Sequence, residues 1–267
     1  MKYTRVPTVK TRQAPATARA TYRPIARQEE FIVPLVGGLI EQGLAMHAVH
    51  APPGAEAIDV GCGRQPFRGR LEQLGYRYTG MDAAQNADGI VDVIAAIDAP
   101  LPTELASRQP FHFVLCTEVM EHVADWAQAF RNLSQLARPG GKILLTCPQF
   151  YPLHEEPYDF WRPTPYAIRT YAERSGLRVL EQKAAGDAWD VMGTLFACCA
   201  AVPAGRGPVD RLVRECVRIG KKAVFELLRR RFLQRHVTMV GPIYLSNYVV
   251  LEKRATPDAS SEAVDPL

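Results

Sequence analysis

"AIDVGCGRQPF", Ala57 to Phe67, is an apolar strand that runs through an acid, Asp59, into a Gly-x-Gly turn at Gly61-Cys62-Gly63. A tight strand-to-helix turn of any kind can use two such glycines. The residues around the pair therefore carry the information. A dinucleotide fingerprint needs G-x-G-x-x-G, because its third glycine lets the helix approach the strand. Pro66 stands at that third position here.

Outward from the turn, short apolar strands alternate with helical periods, the pattern of a parallel sheet covered on both faces. The strands read are "AIDV", "YRYTGMD", "GIVDVI", "FHFVLCT", "GKILLTCP", "LRVLEQK" and, after a long interruption, "IYLSNYVVLEK". Helices are expected around Phe67 to Leu74, Asp125 to Ala137 and Pro165 to Ser175, the second stopped by "RPGG". The interruption, about 186 to 241, carries apolar residues at helical spacing, among them Val209, Leu212, Val213, Cys216, Val217, Ile219, Val224, Leu227 and Leu228, with arginines and lysines between them. Its plain reading is a helix packed over the sheet with a solvated basic face, and its rival a surface that meets anionic lipid or an anionic substrate.

At 267 residues, 47% hydrophobic and 22% charged, the chain can bury one large core with appendages. Residues 1–28 hold seven arginines and lysines and no acid, which predicts a mobile basic arm, with an organelle presequence as the minor alternative. Residues 29–252 are the expected catalytic domain and 253–267 a flexible tail. The six cysteines form no C-x-x-C pair and sit mostly in apolar elements, so a reducing, cytoplasmic setting is expected. The run from Val191 is too short for a span of ~20 residues, which leaves peripheral contact with the inner membrane surface as the only membrane role read.

Asp59 lies where an ammonium group can be received, directly or through water, and Asp82 ends the next strand where a carboxylate can accept from both ribose hydroxyls. S-adenosylmethionine has such an ammonium and a ribose but no phosphate to cradle. The plain alternative for Asp82 is a cap on a turn or helix.

With "IDVGCG", "YTGMD", Leu101-Pro102, "FHFVLCTEVMEHV" and "LARPGGKILLTCP" in order, the chain resembles class I S-adenosylmethionine-dependent methyltransferases, in particular the type 11 group. The resemblance implies an α/β, Rossmann-like, seven-stranded, mostly parallel sheet with helices on both faces, ending in an antiparallel hairpin, here with a helical insertion before the last strand. It also implies that Asp59, Gly61, Cys62 and Gly63 hold the methionine end, that Asp82 holds the ribose, and that Thr117 lines the same site. Where many relatives have an Asp for the adenine amino group, this chain has Ala96, so Asp98 or backbone groups at Ile97 are left for that contact. The segment "YPLHEEPYDFWRPTPYAIRTYAERSGL" resembles members associated with surface-polysaccharide and glycolipid biosynthesis.

Chemistry should lie at the ends of the fourth and fifth strands. If "TEVMEHV" begins a helix, Glu118, Glu121 and His122 share a face. With His154 they could hold Mg²⁺ or Mn²⁺; alternatively Glu118, His122 or His154 is a general base, or the cluster is structural. The E-x-x-E-H pattern is similar to that of metal-dependent ubiquinone-pathway and small-RNA 2′-O-methyltransferases. In the loop "HEEPYDFWRPTPY", Tyr158 and Trp161 offer aromatic faces and Arg162 a fork for an anion, the equipment of a sugar site; the rival is a loop that covers the sheet edge while Arg162 pairs a neighbouring acid. The reading is an O-methyltransferase for a sugar or other small or lipid-linked acceptor. An RNA 2′-O-methyltransferase, a non-catalytic cofactor-binding protein and a nicotinamide-dependent oxidoreductase are the alternatives. Nucleic acid is not the expected partner, since no nucleic-acid module is recognisable.

Overall fold

The computed structural model describes residues 19–48, 51–202, 204–239 and 241–254. The strands are β1 (Glu56–Val60), β2 (Arg77–Asp82), β3 (Val93–Ile94), β4 (Phe111–Thr117), β5 (Ala137–Pro148), β6 (Leu177–Ala185) and β7 (Ser246–Lys253). They form one sheet in the order β3-β2-β1-β4-β5-β7-β6. Pairing is parallel from β3 to β5, and β7 runs antiparallel to both β5 and β6. This is the sheet anticipated from the sequence, closing hairpin included. "GIVDVI" is the exception: only Val93 and Ile94 pair, because Gly89 gives nothing to bury and Asp92 takes the Gly80 N–H on its side chain instead.

Alternation along the strands divides the core into two layers. Ile58, Val60, Val114, Cys116, Ile143 and Leu145 face one cluster, while Ala57, Phe113, Leu115 and Leu144 face the other. On the first face lie the short α3 (Thr103–Ala106) and α4 (Trp126–Leu136); in α4, Trp126, Ala129, Phe130, Leu133 and Leu136 recur at helical spacing and are buried. Asp125 caps it by accepting from the Gln128 N–H. Its neighbour α5 (Pro165–Arg174) starts with proline in the first turn and a Thr164 cap. The other face carries α1 (Glu29–His47), α2 (Arg68–Gln73) and the two insertion helices, α6 (Ala188–Cys198) and α7 (Pro208–Arg229).

Three sequence expectations change. Residues 19–28 are not a free arm: Arg19 pairs with Glu29 at 2.9 Å and Tyr22 packs on Phe67 with ring centroids 5.0 Å apart. Expectations for residues 1–18 and 255–267 lie outside the described residues. Of the six cysteines, only Cys62, Cys116 and Cys147 are buried; Cys198, Cys199 and Cys216 are exposed. The insertion is helical, but α7 does not lay its apolar stripe on the sheet, for only Phe225 and Leu228 along it are buried. No helix among the described residues is long and apolar enough to cross a membrane.

Candidate active site

A cleft of about 640 Å³ opens at the carboxyl ends of β1, β2 and β4. The sheet order reverses between β1 and β4, and such a switch point leaves a crevice because the flanking helices leave on opposite faces. The volume lies within the ordinary range for small-ligand sites. Asp59, Gly61, Cys62, Gly63, Asp82, Ile97 and Thr117 all line it.

The glycine turn is held by hydrogen bonds. Gly63 N–H donates to Asp82 Oδ2 at 2.9 Å, and Asn86 Nδ2 donates to the Gly63 carbonyl at 2.6 Å. Both glycines have positive φ, +70° at Gly61 and +51° at Gly63, a region where a Cβ is strained. A Cβ on Gly61 would also stand 2.2 Å from Val119 Cγ2. The first glycine is thus demanded by the chain that returns from β4, whatever the ligand requires. Asp59 is buried and accepts from the Tyr78 hydroxyl at 2.9 Å. Burial pushes its carboxyl up to about 7, with Tyr78 opposing the rise.

Asp98 is not among the lining residues and accepts from Asp125 N–H at 3.4 Å, next to the start of α4. Ile97 lines the cleft, its carbonyl held by Asn132 Nδ2 at 2.6 Å.

At the other end of the cleft the expected helix through "TEVMEHV" does not form. The segment is a single 3-10 turn, Met120–His122, entered through Glu118 at φ +53°. Glu118, Glu121 and His122 are consequently not stacked on an α-helical face. Glu118 turns aside to accept from Ser246 Oγ at 3.0 Å. Glu121, His122 and His154 come together instead, each offering one ligand atom within 4.8 Å of the others.

That grouping depends on the "HEEPYDFWR" loop. Phe160 N–H donates to the Glu121 carbonyl at 2.8 Å, and Trp161 Nε1 to the Val123 carbonyl at 2.8 Å. Arg162 forks onto both Asp159 oxygens at 2.6 and 2.7 Å and also donates to the carbonyls of Tyr151 and Pro152. Asp159 in turn accepts from the His154 backbone N–H at 2.9 Å. Neither Trp161 nor Arg162 lines the cleft, whereas Tyr158 does. The arginine read as an anion fork braces the loop that carries His154.

Both histidines have a defined tautomer when neutral. His122 Nδ1 lies 2.9 Å from the Tyr158 carbonyl and His154 Nδ1 3.2 Å from that of Pro152. A carbonyl only accepts, so the proton sits on Nδ1 and the lone pair on Nε2. The two Nε2 atoms lie 3.7 and 3.9 Å from Glu121 Oε1, and that of His122 lies 3.8 Å from Glu155 Oε2 as well. Burial raises the carboxyls of Glu118 and Glu121 and lowers His154 below its ordinary value.

The N-terminal segment supplies a further wall of the cleft. Arg19, Tyr22 and Glu29 line the cleft, and Glu118 is among the charges that raise the Tyr22 hydroxyl, after burial itself. A run of basic residues with no acid looks solvated in sequence; Tyr22, one of its two tyrosines, was the available signal.

Residues 39–184, over half of the chain, match the model of a methyltransferase-domain family. The chain belongs to that methyltransferase family. Among curated proteins, the ubiquinone biosynthesis O-methyltransferase of Albidiferax ferrireducens is 33% identical over 104 residues, covering 35% of this chain and 41% of that protein. The same enzyme of Xanthomonas campestris pv. campestris is 31% identical over 105 residues, 36% of this chain and 44% of that one. The matches thus span under half the length of those relatives. A candidate sarcosine dimethylglycine methyltransferase structure from Galdieria sulphuraria superposes with a TM-score of 0.51 at 14% identity, covering 83% of this chain and 86% of that one, a likeness of fold. The Rossmann-like α/β class and the methyltransferase assignment stand on these findings.

Proposed function

We propose that this methyltransferase transfers the methyl group of S-adenosylmethionine to a hydroxyl of a small or lipid-linked acceptor, sugar or aromatic. One observation carries the reading: a single cleft joins the Gly61–Gly63 turn and Asp82 to the Glu121, His122 and His154 group. S-adenosylmethionine supplies an electrophilic methyl when bound. Gly61, Cys62 and Gly63 give a backbone that a ligand can approach, with Asp59 behind it for an ammonium. Asp82 retains acceptor capacity for ribose hydroxyls beyond its bond to Gly63. Ala95, Ile97 and Val123 line the cleft with apolar surface suited to a flat base.

An acceptor hydroxyl must lose its proton as it attacks. His122 and His154, whose Nε2 atoms lie 3.7 and 3.9 Å from Glu121 Oε1 at the cleft, are the groups placed to take it. Burial lowers His154 below its ordinary value, which favours the neutral imidazole that a base requires. A mixed set of one carboxylate and two imidazoles within 4.8 Å also fits Mg²⁺, Mn²⁺ or another divalent ion, which would lower the proton affinity of a bound hydroxyl. Both histidines have the carbonyl-fixed Nδ1–H that usually orients a ligating imidazole. The ubiquinone-pathway names of the relatives favour an aromatic, lipid-tailed hydroxyl within the proposed class.

Release of S-adenosylhomocysteine is measured over a panel of sugars and catechols, with and without chelator. Turnover lost to chelator and restored by Mg²⁺ or Mn²⁺ supports the ion; full turnover in chelator leaves His122 and His154 as the bases.

A further inference from the structure

The helix α7, 22 residues long, leaves the domain with its apolar side open. No side chain between Val209 and Val224 is buried, and Val209 is 70% and Leu212 65% exposed. At 100° per residue, Val209, Leu212, Val213, Cys216, Val217 and Leu227 lie on one half of the circumference. Exposed apolar residues grouped in this way mark a surface that something covers. At its far end the helix is moored: Phe225 packs edge-on to Phe31 of α1 with centroids 5.5 Å apart, and Arg27 lies over the Phe225 ring at 4.4 Å.

Charge identifies the occupant. Residues 206–235 hold ten arginines and lysines against three acids. Lys221 and Arg214 border the apolar half on one side and Lys222 and Arg211 on the other, with Arg218 between them on the outer face. Pairing two copies through this surface would set basic flanks against basic flanks, a like-charge arrangement that opposes association. An anionic bilayer neutralises the flanks while its acyl boundary takes the apolar half. Long basic side chains can reach up from the edges of such a helix to the head groups.

We propose that α7 is an in-plane membrane helix that seats this methyltransferase on an anionic lipid surface. The seating is independent of the proposed reaction. It also positions the cleft, because α7 is anchored on α1, whose first turn supplies Glu29 to the cleft wall.

The full chain is mixed with phosphatidylcholine vesicles, with and without phosphatidylglycerol, and sedimented. Binding is expected to the phosphatidylglycerol vesicles and to fall as salt rises, since screening shortens from about 8 Å at physiological strength to about 3 Å at 1 M. Leu212→Asp with Val213→Asp, and separately Arg214→Glu with Lys221→Glu, should each cut binding about tenfold or more. These side chains are exposed or nearly so, and unchanged thermal melts confirm that both variants are folded. No binding to phosphatidylglycerol vesicles, equal binding to both kinds, or full binding by the first variant overturns the proposal. So does a wild-type dimer in light scattering that the first variant splits, for then a second copy covers the face.

Discussion

The backbone N–H of Gly63 donates to Oδ2 of Asp82 at 2.9 Å, tying the turn after β1 to the end of β2. One carboxylate thus shapes the turn and offers its remaining lone pairs to the cleft. Asp82→Ala removes both roles. Cofactor affinity should fall by about 1–3 kcal/mol, roughly five- to 150-fold, with a lower melting temperature as well. Calorimetric titration with S-adenosylhomocysteine measures the first and a thermal melt the second. Unchanged affinity would remove Asp82 from the cofactor site.

Gly61→Val should damage the fold before it damages binding. The residue sits at φ +70° and its new Cβ would meet Val119 at 2.2 Å. Adding Val119→Ala removes the 2.2 Å contact but leaves the Cβ of residue 119 at 3.2 Å and the backbone strain, so the double variant should recover only part of the lost stability. Full recovery would show that φ contributes nothing.

Asp59 gives a pH dependence with a definite sign. Its folded carboxyl is raised to about 7, above the unfolded value near 4. Between those values the folded protein holds a proton that the unfolded chain has released. This group's contribution to stability is therefore complete below about pH 4 and lost as pH rises through 7, with about 4 kcal/mol as an upper bound. Asp59→Asn cannot ionise, so its melting temperature relative to wild type should climb from pH 5 to pH 8. A difference that stays flat would mean Asp59 is already ionised when folded.

Arg162 should affect turnover more than cofactor affinity. Its guanidinium holds Asp159, which holds the His154 backbone. Arg162→Ala should lower kcat about tenfold or more while S-adenosylhomocysteine binds within twofold of wild type. Arg162→Lys should rescue little, because one ammonium cannot replace the fork and its contacts to the carbonyls of Tyr151, Pro152 and Trp161. Equal loss in kcat and affinity would place the effect in the general fold.

The parts of this protein legible in sequence are those governed by local periodicity and a fixed turn. Trp126, Ala129, Phe130 and Leu133 announce α4, and Gly61, Gly63 and Asp82 announce one end of the cleft. The acceptor end was less legible because Glu118 takes a left-handed conformation that no spacing rule anticipates for a glutamate. That turn replaces a helical face by a meeting of two segments, and so brings His154 in while Glu118 goes to Ser246. Arg162 has two readings in sequence, an anion fork or a partner for a neighbouring acid, and the structure takes the second: Asp159, three residues before it, fills the fork. The apolar periodicity of α7 was plain, but which side it presents to the domain is a tertiary fact.

The account rests on a shared cleft in which the Glu121, His122 and His154 group acts on an acceptor beside the cofactor. The most direct test is S-adenosylhomocysteine release with a responsive acceptor by wild type, His154→Ala and Glu121→Ala, alongside calorimetric affinity for S-adenosylmethionine. The account predicts turnover in wild type, a loss of about 10²-fold or more in both variants, and cofactor affinity close to wild type throughout. Full turnover by both variants, or no binding of S-adenosylmethionine by the wild-type protein, would contradict it.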